Sequence, residues 1–248
     1  MNSLIYFNNC ASTQDELIDF LNQHYLSEDF LAVYTFNQTK GRGQYGNSWE
    51  NLPEENLAYS FALKTKNINI SDTCFNFYTA ILVRDFIANL TKTEAKIKWP
   101  NDLILKNKKI CGMLFEKNKN YFVVGIGINI LQENFKNLPK AGSILSQTGL
   151  SFELKAFTES LHQYLFEHLV QKEIPNNILE LYHLHLYRKN EVSVFEKNEV
   201  RQNGIIKNVD ETGHIWIDLE NEGLQKFFHK EIEDRKSTRL NSSHSSVS

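Results

Sequence analysis

The sequence predicts an α+β chain in two parts. Strands and amphipathic helices share residues 1–187, and a small all-β module occupies residues 188–235. Three observations carry this. Apolar residues recur at helical spacing in two long segments, Thr73 to Leu90 and Phe152 to Val170. Short aromatic and β-branched runs lie around them, as strands require. After Arg188 only short strand patterns remain, each ended by a turn signal.

In order, Leu4 to Phe7 reads as a first strand. Ser12 and Thr13 then precede a helical stripe of Leu17, Ile18, Phe20, Leu21 and Tyr25. Ser12 with Asp15, and Thr13 with Glu16, have capping-box spacing. Phe30 to Phe36 and Asn56 to Leu63 are strands on either side of a glycine-rich segment. Thr73 to Leu90 is a helix striped by Phe75, Phe77, Tyr78, Ile81, Leu82 and Phe86. Asn107-Lys108 reads as the turn of a hairpin joining Leu103–Leu105 to Ile110–Phe115. Residues 132–150 read as a loop-rich connection. A second long helix follows and stops before Pro175, and a third spans about Asn176 to Tyr187. Its His183 and His185 are two apart, so they do not share a helix face and suggest no metal site. The last part reads as strands Glu191–Phe195, Val200–Val209, His214–Leu219 and Gly223–Phe228, with turns at Lys197-Asn198, Glu211-Thr212-Gly213 and Asn221-Glu222-Gly223. Residues 236–248 are serine-rich, lack an apolar period, and read as a disordered, non-native tail.

Composition narrows the function classes. The net charge is −3, and Lys236 and Arg239 sit in the tail, so the remainder is more acidic still. That argues against a nucleic-acid surface as the main business. Cys10, Cys74 and Cys111 are scattered, with neither metal spacing nor a disulfide set, which suggests a reducing compartment. Cys111 reads as a small buried apolar residue. No stretch has the length of a membrane span, and the N-terminus lacks a signal peptide's basic and apolar regions. The expectation is a cytoplasmic protein without membrane or DNA partners.

Four segments carry chemistry. Gly41 to Trp49 holds three glycines, Arg42 and Trp49. Closely spaced backbone N–H groups and a guanidinium suit a phosphate or carboxylate, and an indole suits a base. The same run could also be a plain surface loop, since loops collect glycine. It fits neither the Walker A nor the dinucleotide spacing. Lys98-Trp99-Pro100-Asn101-Asp102-Leu103 ends a strand in a stiff turn, because Pro100 fixes its own φ and restricts Trp99 to extended backbone. Lys108 to Glu116 places two lysines at a hairpin corner. Gly125-Ile126-Gly127-Ile128-Asn129-Ile130 is a strand whose glycines allow close approach of a ligand or backbone.

These segments, in this order and spacing, resemble the biotin protein ligase family, in the short form without an N-terminal DNA-binding domain. The resemblance covers about residues 3–234. It implies a mixed β-sheet with helices, of the class II tRNA-synthetase-like kind shared by biotin and lipoate ligases, and a C-terminal SH3-like β-barrel. It implies an ATP-dependent, AMP-forming enzyme. Biotin and MgATP would give biotinyl-5′-AMP, and the biotinyl group would pass to a lysine of a biotin carboxyl carrier protein or carboxylase biotin domain. No DNA-binding role is expected, and a homodimer is compatible.

The resemblance also implies roles. Ser12, Thr13 and Gln14 lie near the biotin ring; simple helix capping is the other reading of Ser12 and Thr13. Gln38 contacts biotin, as do the Gly41, Gly43 and Gln44 loop positions, and Gly112 gives close backbone approach. Arg42 and Lys109 hold the carboxylate and α-phosphate oxygens. Trp49 packs on the adenine and Asn129 meets its edge. Asn101 and Asp102 handle the nucleotide. For Asp102 two roles stand open, ligating magnesium or orienting and deprotonating the acceptor amine. One departure is Gln44, where many family members have arginine; it implies weaker retention of the adenylate. Two other readings are a lipoate or octanoate ligase-type acyltransferase, and a non-catalytic biotin sensor. Intact Arg42, Lys109 and Asp102 argue against the sensor.

Overall fold

The computed structural model describes residues 2–26, 29–43, 46, 48–49, 52–135 and 138–235. The chain divides into two compact units, one ending at Tyr187 and one beginning at Arg188.

The first unit runs β1 (Asn2–Tyr6), α1 (Thr13–Gln23), β2 (Phe30–Thr35), β3 (Gly41–Arg42), β4 (Ser48–Trp49), β5 (Asn56–Lys64), α2 (Asp72–Thr91), β6 (Ala95–Lys98), β7 (Asp102–Leu105), β8 (Lys108–Asn118), β9 (Tyr121–Asn129), α3 (Ile144–Thr148), α4 (Leu154–Phe166) and α5 (Ile178–Leu184). Seven strands form one sheet in the order β1-β2-β5-β9-β8-β7-β6. Only β1 and β2 pair in parallel, so the sheet is mixed, as expected.

Register assigns the sheet two unlike faces. Tyr59 lies opposite Ile126, Phe61 opposite Val124, and Leu63 opposite Phe122. These directly opposed residues share a face. That face is large and apolar, and α2 and α4 cover it. Phe75 of α2 stacks on Phe122 with ring centroids 4.4 Å apart. His162 of α4 bonds the buried Tyr59 hydroxyl at 2.9 Å. The neighbouring positions point the other way: Ala58 opposite Gly127, Ser60 opposite Gly125, Ala62 opposite Val123. Helix α1 covers one end of this second face, where Leu17, Leu21, Leu26, Leu31, Val33, Ala62, Tyr121 and Val123 form an apolar cluster. Ser12 caps α1 by accepting from the Asp15 N–H at 3.3 Å.

Local differences from the sequence reading have physical causes. The hairpin turn is Lys106-Asn107, one residue earlier than expected. Both have positive φ, and Leu105 pairs with Lys108, the pattern of a tight two-residue turn. The connection over 132–150 contains α3, too short to show an apolar period, with Ser143 and Ser146 forming a reciprocal cap. The second long helix keeps α geometry to Phe166 and finishes as a π turn, Glu167–Gln171.

The second unit contains β10 (Val192–Lys197), β11 (Val200–Val209), β12 (Ile215–Leu219), β13 (Gly223–Phe227) and β14 (Glu233–Arg235). All pairings are antiparallel, in the order β13-β12-β11-β10-β14. This corrects the expected barrel. Strand β14, which the sequence reading missed, pairs with β10 rather than with β13, so among the described residues the sheet keeps two edges and stays open.

Candidate active site

The glycine-rich segment forms a small ribbon beside the sheet, with Gly41 opposite Trp49 and Arg42 opposite Ser48. The ribbon delivers Trp49 onto the small-residue face. A Cβ at Gly127 would lie 2.5 Å from Trp49 Cε2, and one at Gly112 would lie 2.9 Å from Trp49 Cζ3. No side chain fits there, so glycine at both positions is what lets a ring lie on the backbone. The indole nitrogen is buried and bonds no described residue. Trp49 itself thus occupies the close approach that the sequence reading assigned at Gly112 to biotin.

A β-bulge sets Lys109. Leu103 pairs with Cys111 but Ile104 pairs with Lys109, leaving Ile110 without a partner. The extra residue shifts parity and re-aims the side chains before it. Lys109 consequently reaches Asp102, Nζ to Oδ1 2.8 Å, and its Cε borders Gly112. Its ammonium lies 5.5 Å from the Trp49 ring centroid. Lys109, Asp102, Gly112 and Trp49 are therefore one cluster. The signal in the sequence was Ile110-Cys111, two adjacent apolar residues that break strand alternation and are both fully buried.

A second cluster surrounds Arg42, whose guanidinium pairs with Asp15 and Glu116. Burial pulls its pKa down, but the Glu116 and Asp15 carboxylates outweigh that and raise it. Glu116 also accepts from Gln14 Nε2 at 2.8 Å. Next along the face, Gln38 Oε1 accepts from the Thr13 N–H at 2.9 Å, and the Thr13 and Ser60 hydroxyls bond at 2.8 Å. Ser12, Thr13, Gln14 and Ser60 are all buried. Asp15, Glu116 and Ser60 were not singled out for the site from sequence. Exposed ion pairs such as those of Arg42 contribute only about 0–1 kcal/mol to stability. Their effect is to hold cations ready beside the face.

Other predicted residues lie deeper. Asn101 is buried, and its amide donates to the Met113 carbonyl at 2.6 Å, bracing the turn after the cis Trp99-Pro100 bond. Asn129 donates to the Gly142 carbonyl at 2.9 Å, tying β9 to the loop before α3. Gly41 is kept small by Trp49, whose carbonyl would be 2.5 Å from a Cβ. Gly43 follows the ribbon and is half-buried. Gln44 lies outside the described residues. An open depression of about 560 Å³ borders the Arg42 cluster on the side of Asp15, Asp19 and Lys117, and contains none of Lys109, Asp102 or Trp49. The glycine face is the candidate site: Lys109 meets the indole there, and Arg42 stands on the same ribbon as Trp49.

A glycine floor with a lysine at its border and an arginine on the neighbouring ribbon, both held on carboxylates, has the composition that suits an anion, as a carboxylate-activating ligase requires. Residues 6–132, just over half of the chain, match the model of the biotin/lipoate A/B protein ligase family, and the chain belongs to that family. The biotin–[acetyl-CoA-carboxylase] ligase of Mycobacterium tuberculosis is 22% identical over 201 residues, 77% of this chain and 74% of the relative. Biotin–protein ligase 2 of Arabidopsis thaliana is 33% identical over 106 residues, 39% of this chain but only 32% of that longer protein. Among solved structures, the biotin protein ligase from Aquifex aeolicus in complex with biotin and ATP aligns with a TM-score of 0.77 at 25% identity, covering 96% of this chain and 100% of that one. The mixed sheet with its helices is the biotin protein ligase catalytic fold.

Proposed function

We propose that this chain is a biotin protein ligase. It activates biotin with ATP and transfers the biotinyl group to a lysine on a carboxylase biotin domain. The observation that carries this reading is Lys109, stored on Asp102 beside the glycine floor and Trp49, with Arg42 stored on Asp15 and Glu116 on the ribbon that carries Trp49.

In the first step a biotin carboxylate oxygen attacks the α-phosphorus and pyrophosphate leaves. Negative charge crowds at that phosphorus, and Arg42 and Lys109 turn from their carboxylate partners to meet it. Once turned, they supply the positive charge at the reacting phosphorus on which such catalysis chiefly depends. Trp49 lifts from Gly112 and Gly127 to pack on the adenine, freeing the floor. Thr13, Gln14, Gln38 and Ser12 line the ring end of the biotin site. In the second step the acceptor lysine amine attacks the acyl carbon and AMP leaves, with Asp102 placed to orient that amine. Magnesium is bound by one or two carboxylates and substrate oxygens, and Asp102, a single half-exposed carboxylate, fits that donor set. The ion would screen the triphosphate charge.

Among the described residues, no helix is long and apolar enough to cross a membrane. A reducing cytoplasm accords with Cys10, Cys74 and Cys111, all free thiols.

The test is exchange of labelled pyrophosphate into ATP with biotin, lipoate or octanoate as the acid. Biotin-dependent exchange supports the reading. Exchange with lipoate or octanoate alone would move the chain to the acyltransferase side of its family. Biotin binding without exchange would make it a sensor.

A further inference from the structure

Gln14 carries an unexplained atom. The residue is 3% exposed, and its Oε1 accepts no hydrogen bond from any described residue. A buried amide oxygen without a donor is destabilising, so such an atom calls for an explanation. Its position supplies one. Oε1 lies flat on the backbone of Gly125, 2.1 Å from where a Cβ would stand, beside Ser60 on the small-residue face. The orientation is not free. Gln14 Nε2 donates to Glu116 Oε2 at 2.8 Å, and a carboxylate can only accept. Glu116 therefore compels the amide nitrogen to face it and turns the oxygen toward the glycine floor. Glu116 is itself braced, because its other oxygen accepts from Arg42.

We propose that Glu116 is a positioning residue that locks the Gln14 amide with its oxygen toward the floor, so that the site selects an acid whose ring presents an N–H donor there. This rests on the ligase reading, and it deepens that reading by assigning ring selectivity to a residue that does not touch the ligand. A ureido ring satisfies the acceptor; a dithiolane or a plain alkyl chain leaves it unpaired.

Pyrophosphate exchange on the full chain tests it, using E116Q, Q14L and the double variant. Glutamine at 116 keeps the side chain's size but can donate, so the Gln14 amide is free to turn over. We expect E116Q to raise KM for biotin by about tenfold, the cost of one lost acceptor, and KM for ATP much less. In the Q14L background, E116Q should then change KM for biotin far less than it does beside Gln14. A merely structural role for Glu116 would not produce that non-additivity. Equal effects of E116Q with and without Gln14, or an effect confined to ATP, would overturn the proposal while the ligase reading stands. No biotin-dependent exchange by the wild type would remove both.

Discussion

The two faces of β5 and β9 make different use of the same strands. One face presents Tyr59, Phe61, Ile126 and Val124 to α2 and α4; the other presents Ala58, Ser60, Gly125 and Gly127. Burial of the first set holds the unit together, since each fully buried large apolar side chain contributes roughly 1.5–3 kcal/mol. The second set contributes little by burial and instead leaves room for Trp49 and the Gln14 oxygen. Residue parity thus separates stability from chemistry on strands that carry both. Substitutions should separate the same way.

The largest effect is expected on the apolar face. Phe61, fully buried and stacked on Phe30 with centroids 5.0 Å apart, should cost about 3–5 kcal/mol of unfolding free energy as Phe61→Ala, through lost transfer energy and a cavity. Chemical denaturation measures this, and KM for biotin in the folded fraction should hold. On the small-residue face, Lys109→Ala should cut adenylate formation by about 10²–10³-fold, with little change in the denaturation midpoint. Wild-type turnover in that variant would show that the site is elsewhere.

Acid sharpens the comparison, because a titratable group sits under the apolar face. Burial lowers the His162 pKa to about 4, so the folded state keeps it neutral. As pH falls below about 6.5 the unfolded chain takes up a proton that the fold refuses. Stability present above that value is lost progressively down to about pH 4, by on the order of 2 kcal/mol. His162→Gln, which can still bond Tyr59, should flatten this share of the pH dependence; a curve identical to wild type would contradict it. The smallest expected effect is Trp49→Ala, weakening nucleotide binding by roughly 1–3 kcal/mol, the range for base–aromatic stacking. Calorimetric titration with a non-hydrolysable ATP analogue would measure it.

Much of the apolar face was legible beforehand. The stripe of Phe75, Phe77, Ile81 and Phe86 and the run Leu57 to Leu63 repeat at periods that only helix and strand produce. Groupings in the candidate site were legible where a motif holds residues close in sequence, as for Arg42 and Trp49 on one ribbon or Asp102 and Lys109 in one ion pair. It was not legible where partners are distant. Asp15 and Glu116 meet Arg42 across separations of 27 and 74 residues, and nothing local in either segment marks that meeting. The open second sheet escaped for a related reason. Strand β14 is three residues long and its register is set by β10, not by any pattern of its own.

The pairing of Arg42 with two acids has a kinetic side. With Asp15, Asp19 and Glu116 facing Arg42 and Lys117, acids outnumber cations at the mouth of the depression. A polyanion approaching from this side meets net repulsion, since Arg42 is already neutralised by its two partners. Added salt, which screens repulsion, should then quicken rather than slow contact from that side.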